Sequence, residues 1–212
     1  MKTTIETGTL SNAAWTALRN LRRTHPALER CELCAQELPT RHPHLFHLQA
    51  RRIACACDAC ALLFESDASP QYRRIPRDIF CFADFAIEDL QWEALSIPIN
   101  LAFLFFNSSS RRTVAMYPSP GGATESLLSL ETWEQIAAQN PRLQQLQPDV
   151  EAFLVNRVSA RHEYYIAPID RCYELTGIVR KCWRGFLGSE EVWKNVEDFF
   201  ANLRQEAYTI HA

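Results

Sequence analysis

Five cysteines crowd into one short stretch near the start of the chain: Cys31, Cys34, Cys55, Cys57 and Cys60. Two of the spacings are C-x₂-C, at Cys31/Cys34 and Cys57/Cys60, with twenty-two residues between the pairs. A C-x₂-C turn brings both thiolates to one side of the backbone, and two such turns facing each other make a tetrahedral pocket of four sulfurs. Zinc suits that pocket, being four-coordinate, indifferent to ligand geometry and fond of thiolate. The candidate ligands are therefore Cys31, Cys34, Cys57 and Cys60. A module of roughly 35 residues is too small to stand on an apolar core alone, so ligation there is also folding. Four sulfur ligands leave no position for water or substrate, which points to a structural ion.

Two substitutions within that set are open. Cys55 lies two residues before Cys57 and can replace it as ligand or act as a neighbouring thiol. His42, His44 and His47 fall in the connecting segment, so a mixed site with His44 as alternate is possible, the histidines otherwise being exposed or secondary groups. Iron is the rival metal, because four sulfurs also suit a single redox-active iron as in rubredoxins. Rubredoxin turns carry Gly after the second cysteine and Pro inside the second pair. Here those places hold Ala35, Asp58-Ala59 and Ala61, a poor match.

Other residues carry weaker signals. The loop Pro118 to Ala123 has two prolines and two glycines but no lysine, so it reads as a tight turn and not a phosphate cradle. Ser119, His162 and Asp170 have the types of a hydrolase triad without a nucleophile-elbow sequence. No catalytic residue is assigned. Cys81, Cys172 and Cys182 sit singly among apolar neighbours and read as small core residues. Arg180, Lys181 and Arg184 form a basic face that reads as solvated.

The elements that must position these groups follow from composition and pattern. The chain has 212 residues, 47% of them hydrophobic and 22% charged, enough to bury a substantial core. A net charge of −3 argues against nucleic-acid or anionic-membrane partners. Residues 1–80 carry eleven Lys/Arg against eight Asp/Glu, whereas residues 81–212 carry eleven against seventeen. The longest apolar run, Ile97 to Phe106, contains Pro98 and Asn100 and falls short of the roughly 20 residues needed to span a bilayer. The N-terminus lacks the pattern of a signal peptide, so a cytoplasmic location is expected. Disulfides are disfavoured there, which favours metal ligation for the cysteine group.

Four regions are expected: a tail and short helix over 1–29, a zinc-ribbon-like module over 30–65, a linker over 66–78, and an α+β domain over 79–212. Ser11 or Asn12 can cap a helix running to about Arg23, broken by His25-Pro26. Alternation around Leu45 to Leu48 and a return near Arg52 to Ala54 predict a hairpin between the cysteine pairs. Strands are predicted at Leu101–Phe106, Thr113–Tyr117, Val150–Val155 and Glu163–Ile166, with a turn near Ser159. Helices are predicted at Phe85–Ser96, Glu131–Ala138, Tyr173–Trp183 and Glu190–Leu203, the last strongly amphipathic. Antiparallel strands with helices to one side and at the C-terminus make the class α+β.

The segments CELCAQELPTRHPHLFHLQARRIACACDACALLF, YPSPGGATESLL, PDVEAFLVNR, PIDRCYEL and WRGFLGSEEVW resemble an uncharacterised bacterial cysteine-rich family of unknown function, encoded beside [NiFe]-hydrogenase genes of the actinobacterial type. The resemblance runs from about Arg30 to Arg204 and matches the family's cysteines at Cys31, Cys34, Cys55, Cys57 and Cys60. It implies an accessory role in maturation, assembly or electron delivery, with hydrogenase subunits as the protein partner. The leading expectation is thus a non-enzymatic accessory protein with a structural zinc site. An iron electron carrier using the same cysteines is the first alternative, and a small-ligand enzyme in the α+β domain the second. Oligomeric state is not legible.

Overall fold

A computed structural model describes residues 29–65, 71–127, 129–158, 161–183 and 190–211. The expected N-terminal helix, the turn at Ser159 and the basic residue Arg184 lie outside the described residues.

The small sheet comes first. Strands β1 (His44–His47) and β2 (Arg52–Cys55) form the expected hairpin, and β3 (Tyr72–Arg74) pairs with the free edge of β1. All its pairings are antiparallel, in the order β2-β1-β3. The stretch expected as a linker therefore contributes a strand. Helix α1 (Asp58–Phe64) follows β2 directly. Cys57 caps it, its Sγ accepting the backbone N–H of Cys60 at 3.4 Å, so the second cysteine pair is a helix start and not a second free turn.

Among the described residues the large sheet has seven strands: β4 (Phe80–Phe82), β5 (Leu101–Asn107), β6 (Arg112–Ser119), β7 (Gly122–Ser126), β8 (Glu151–Asn156), β9 (Glu163–Pro168) and β10 (Tyr208–Ile210). Their order is β10-β4-β9-β8-β5-β6-β7, antiparallel except where β10 runs parallel to β4. In the centre, β5 reads Leu-Ala-Phe-Leu-Phe-Phe-Asn with all but one residue buried, and β9 is buried throughout. Strands without polar alternation need cover on both faces.

They receive it. On one face Phe103, Phe105, Leu154 and Tyr165 pack against α5 (Ile169–Cys182) and α6 (Glu190–Glu206), through Cys172, Leu175, Val179, Val196, Phe200 and Leu203. On the other, Leu104, Phe153, Val155 and Tyr164 pack under α2 (Asp89–Ala94), α3 (Leu130–Ala138) and α4 (Pro141–Gln144), through Trp92, Trp133, Ile136 and Leu143. The class is α+β as expected, but the helices lie on both faces of the sheet and not on one.

Local chemistry explains the boundaries. Asn107 Oδ1 accepts the N–H groups of Ser109 and Ser110 at 3.0 and 3.1 Å, closing the polar turn between β5 and β6. Pro120-Gly121 turns β6 into β7, a strand where the sequence pattern predicts part of a loop, and Gly122 sits there at φ +116°. α3 ends at Ala138, and Asn140 begins α4: its Oδ1 accepts the Arg142 N–H at 3.0 Å, with Pro141 at the first helical position. Among the described residues, no helix is long and apolar enough to cross a membrane.

Candidate metal centre

The first cysteine pair is shaped by backbone bonds. Cys31 donates its N–H to Gln36 O and accepts the Ala35 N–H on its carbonyl, each at 2.8 Å. The turn forces Ala35 to φ +62°, the left-handed region that Gly would occupy without cost. Glu32 ties this turn to the hairpin. Its N–H donates to Cys55 O at 2.9 Å, its Oε1 accepts the Cys55 N–H at 2.9 Å, and its Oε2 pairs with Arg52.

These constraints bring Cys31, Cys34, Cys57 and Cys60 together, with all four Sγ atoms within 4.8 Å of one another. Cys34 and Cys57 are 3.7 Å apart. A tetrahedron of sulfurs at Zn–S of about 2.3 Å has an edge of roughly 3.8 Å, so the spacing already fits a bound ion. Cys31 and Cys57 are buried, Cys60 is half-buried and Cys34 is exposed.

The electrostatics call for a cation. Burial works to raise the Cys31 thiol, but backbone hydrogen bonds with Cys57, Leu33 and Cys34 overcome it and hold the pKa down at about 6. Cys60 goes the other way, pushed well up by burial and by its bonds to the Cys57, Cys34 and Cys31 sulfurs. One thiolate forms readily and then resists the next. A cation bound among these sulfurs would favour their thiolate form, so its binding would displace protons.

The two alternates stand elsewhere. Cys55 and His44 are not part of this group; they lie beside His42 in a second cluster with ligand atoms within 4.8 Å. His42 is not an exposed histidine, since its side chain is only 4% accessible. His47 turns away, its Nδ1 accepting the Ala50 N–H at 3.0 Å and its ring meeting Tyr72 edge-on.

The triad types do not assemble. Ser119 Oγ serves the β6–β7 turn, bonding Gly122 O and Thr124 Oγ1 at 2.9 Å. Asp170 pairs with His44 Nδ1 at 2.6 Å, a contact 126 residues apart that no local pattern announces. Cys172 is fully buried and its thiol is pushed well up by that burial, as a core residue's would be. A groove lined by Asn156, Glu163, Trp193 and Arg204 runs beside α6, but the buried Glu163 is tied to Arg204 at 2.8 Å, and to Tyr165 and Asn156 at 3.2 Å. Those bonds hold α6 against β8 and β9.

The fold and the cluster define an α+β protein with a cysteine-rich segment able to hold a metal ion in four sulfurs. Residues 30–207 match a family described as a family of unknown function, DUF5947, and the chain belongs to that family. No curated protein and no solved structure matches it.

Proposed function

We propose that this chain is a non-enzymatic metal-binding accessory protein, in which a structural zinc ion in Cys31, Cys34, Cys57 and Cys60 stiffens a small module for contact with a protein partner. The observation that carries the reading is the convergence of four sulfurs within 4.8 Å, from a backbone-braced turn and the start of a helix. An all-sulfur shell favours a staple over a reaction centre. Helix α1, which starts at the cluster, leaves Leu62 and Leu63 65% and 68% exposed. Neighbouring exposed apolar side chains on a rigid element suit a protein contact. The resemblance to a family encoded beside [NiFe]-hydrogenase genes supports hydrogenase subunits as that partner, in maturation or assembly within the cytoplasm.

A mononuclear iron electron carrier is the second reading, favoured by the exposure of Cys34, which would bring one ligand sulfur to the surface. Elemental analysis and an absorption spectrum on protein purified without added metal separate the two. One colourless zinc per four-cysteine cluster, lost with Cys57→Ser, supports the staple; a red iron form overturns it. Co-purification of hydrogenase subunits with the intact chain, abolished by a Leu62→Asp, Leu63→Asp variant, supports the partner. Recovery no better than a control column counts against it.

A further inference from the structure

Two histidines and a cysteine remain after the four-sulfur cluster is complete. In the β1–β2 ladder His44 stands directly opposite Cys55, so their side chains leave the same face of the hairpin. His42 lies two residues before His44 in the chain. The potential ligand atoms of the three lie within 4.8 Å of one another, and the two imidazoles meet edge to face at 5.0 Å.

The hydrogen bonds decide which nitrogens are left for a ligand. His42 Nδ1 is 2.9 Å from Pro39 O, a pure acceptor, so that nitrogen carries the proton and donates it. His44 Nδ1 is 2.6 Å from Asp170 Oδ2 and donates likewise to a carboxylate. In the neutral imidazole, each ring then presents a lone pair on Nε2. His42 Nε2 is buried with no hydrogen-bond partner, in a side chain only 4% accessible. A buried, unpartnered lone pair costs on the order of 1–3 kcal/mol, and a cation is one way to satisfy it. The arrangement around His44 is the carboxylate–histidine relay that fixes ring orientation in metal sites and strengthens the imidazole as a ligand.

We propose that His42 Nε2, His44 Nε2 and Cys55 Sγ form a second metal site, distinct from the four-cysteine cluster, that takes an exchangeable late first-row transition-metal dication of the zinc class. Two imidazoles and one thiolate are of intermediate softness, which suits such ions and disfavours calcium or magnesium. Each of the three residues offers a potential ligand atom within 4.8 Å of the other two, and metal–ligand bonds of about 2.0–2.3 Å ask the ligating atoms to draw closer by side-chain adjustment. Three protein ligands leave a fourth position open. His42 and His44 also line a groove of about 720 Å³, whose wall carries Arg41, Arg77 and Arg171 together with Glu29, Asp170, Glu174 and Glu206. With four protein ligands the four-cysteine cluster would close around its ion, whereas three ligands would leave this site open to exchange.

Zinc titration of the full-length, metal-free, reduced chain tests the proposal. Two equivalents bind to the wild type, the second more weakly. Cys55→Ser and His42→Ala each bind one, with the near-ultraviolet circular dichroism of the zinc-loaded protein unchanged. A single equivalent in the wild type, or two retained in both variants, overturns the second site. Should either variant lose both ions through misfolding, Asp170→Asn decides, because it leaves every ligand in place. A second-ion dissociation constant raised about 10- to 100-fold supports the site, and an unchanged one overturns it. Loss of the first equivalent alone with Cys34→Ser bears on the four-cysteine reading and leaves this one standing.

Discussion

Among the described residues, six buried side chains make up the core beneath the small sheet, and two of them are the candidate ligands Cys31 and Cys57. The large sheet has 22 on one face and 16 on the other, including Phe103, Phe153, Tyr165 and Phe200. Burial at about 25 cal/mol per Å² can hold the second of these regions and falls far short for the first. What the small sheet lacks in apolar area it supplies in convergent thiols and in backbone bonds such as Glu32 to Cys55. The two regions also meet, since Phe46 of β1 and Ile75 join the large core. A module that ligation would hold leans on a domain held by packing, and each is expected to fail under a different stress.

The largest expected effect is on the ligated region. Structural zinc in small modules contributes apparent free energies of about 10–16 kcal/mol, comparable to or above the whole stability of an ordinary domain. Complete chelation at pH 7 should strip hydrogen-exchange protection from β1, β2 and β3 and leave β5, β8 and β9 protected. Mass-spectrometric exchange with and without chelator reads this directly. A small sheet that stays protected without metal would erase the distinction between the regions.

The packed region has its own weak point. Phe153 is fully buried, with ring contacts to Phe82, Phe85, Trp133 and Tyr164. Phe153→Ala should cost about 3–5 kcal/mol in urea-induced unfolding of the large sheet, with zinc stoichiometry at the four-cysteine cluster unchanged. Loss of that zinc along with the sheet would mean that the module cannot fold apart from the domain.

A smaller gain is expected within the ligated region. Ala35 bears the left-handed strain at φ +62° immediately after Cys34. Ala35→Gly should stabilise the metal-loaded module by about 0.5–1 kcal/mol, the relief of that strain less the extra chain entropy of Gly. The readout is the midpoint of zinc release against a competing chelator. A shift toward easier release would show that the turn is not strained as the geometry implies.

What the sequence discloses differs between the regions for the same physical reason. Cysteine spacing is a local signal, so the four-sulfur group is visible in Cys31, Cys34, Cys57 and Cys60 before any fold is known. Long apolar strands and amphipathic helices are local too, and β5, β8, β9, α5 and α6 lie close to where their patterns put them. Strands of three residues are not. Tyr72–Arg74, Phe80–Phe82 and Tyr208–Ile210 become strands by pairing with partners distant in the chain. Gly122–Ser126 has no β-branched or aromatic run beyond Thr124 to announce it. The grouping of His42 and His44 with Cys55 depends on hairpin register, and Asp170 reaches His44 only once α5 is docked. The i,i+2 spacing of the two histidines is the one local hint of it.

The smallest effect probes the brace between the two cysteine turns. Burial would raise the Glu32 carboxyl, but the Arg52 hydrogen bond, the Cys55 N–H and the Arg52 charge together hold it below its ordinary value of 4.5. A carboxyl lowered in the folded state stabilises fully above its unfolded pKa and loses that contribution as pH falls through the folded value. The wild type should therefore exceed Glu32→Gln in stability at neutral pH, with the gap closing as pH drops below 4.5. Half-exposed and screened by solvent, this pair is worth about a few tenths of a kcal/mol. Comparing the two proteins at each pH removes the proton competition for the thiolates, which both share. A gap that stays constant or widens in acid would remove Glu32 as an electrostatic brace and leave the four sulfurs, with the backbone turns, as the module's sole support.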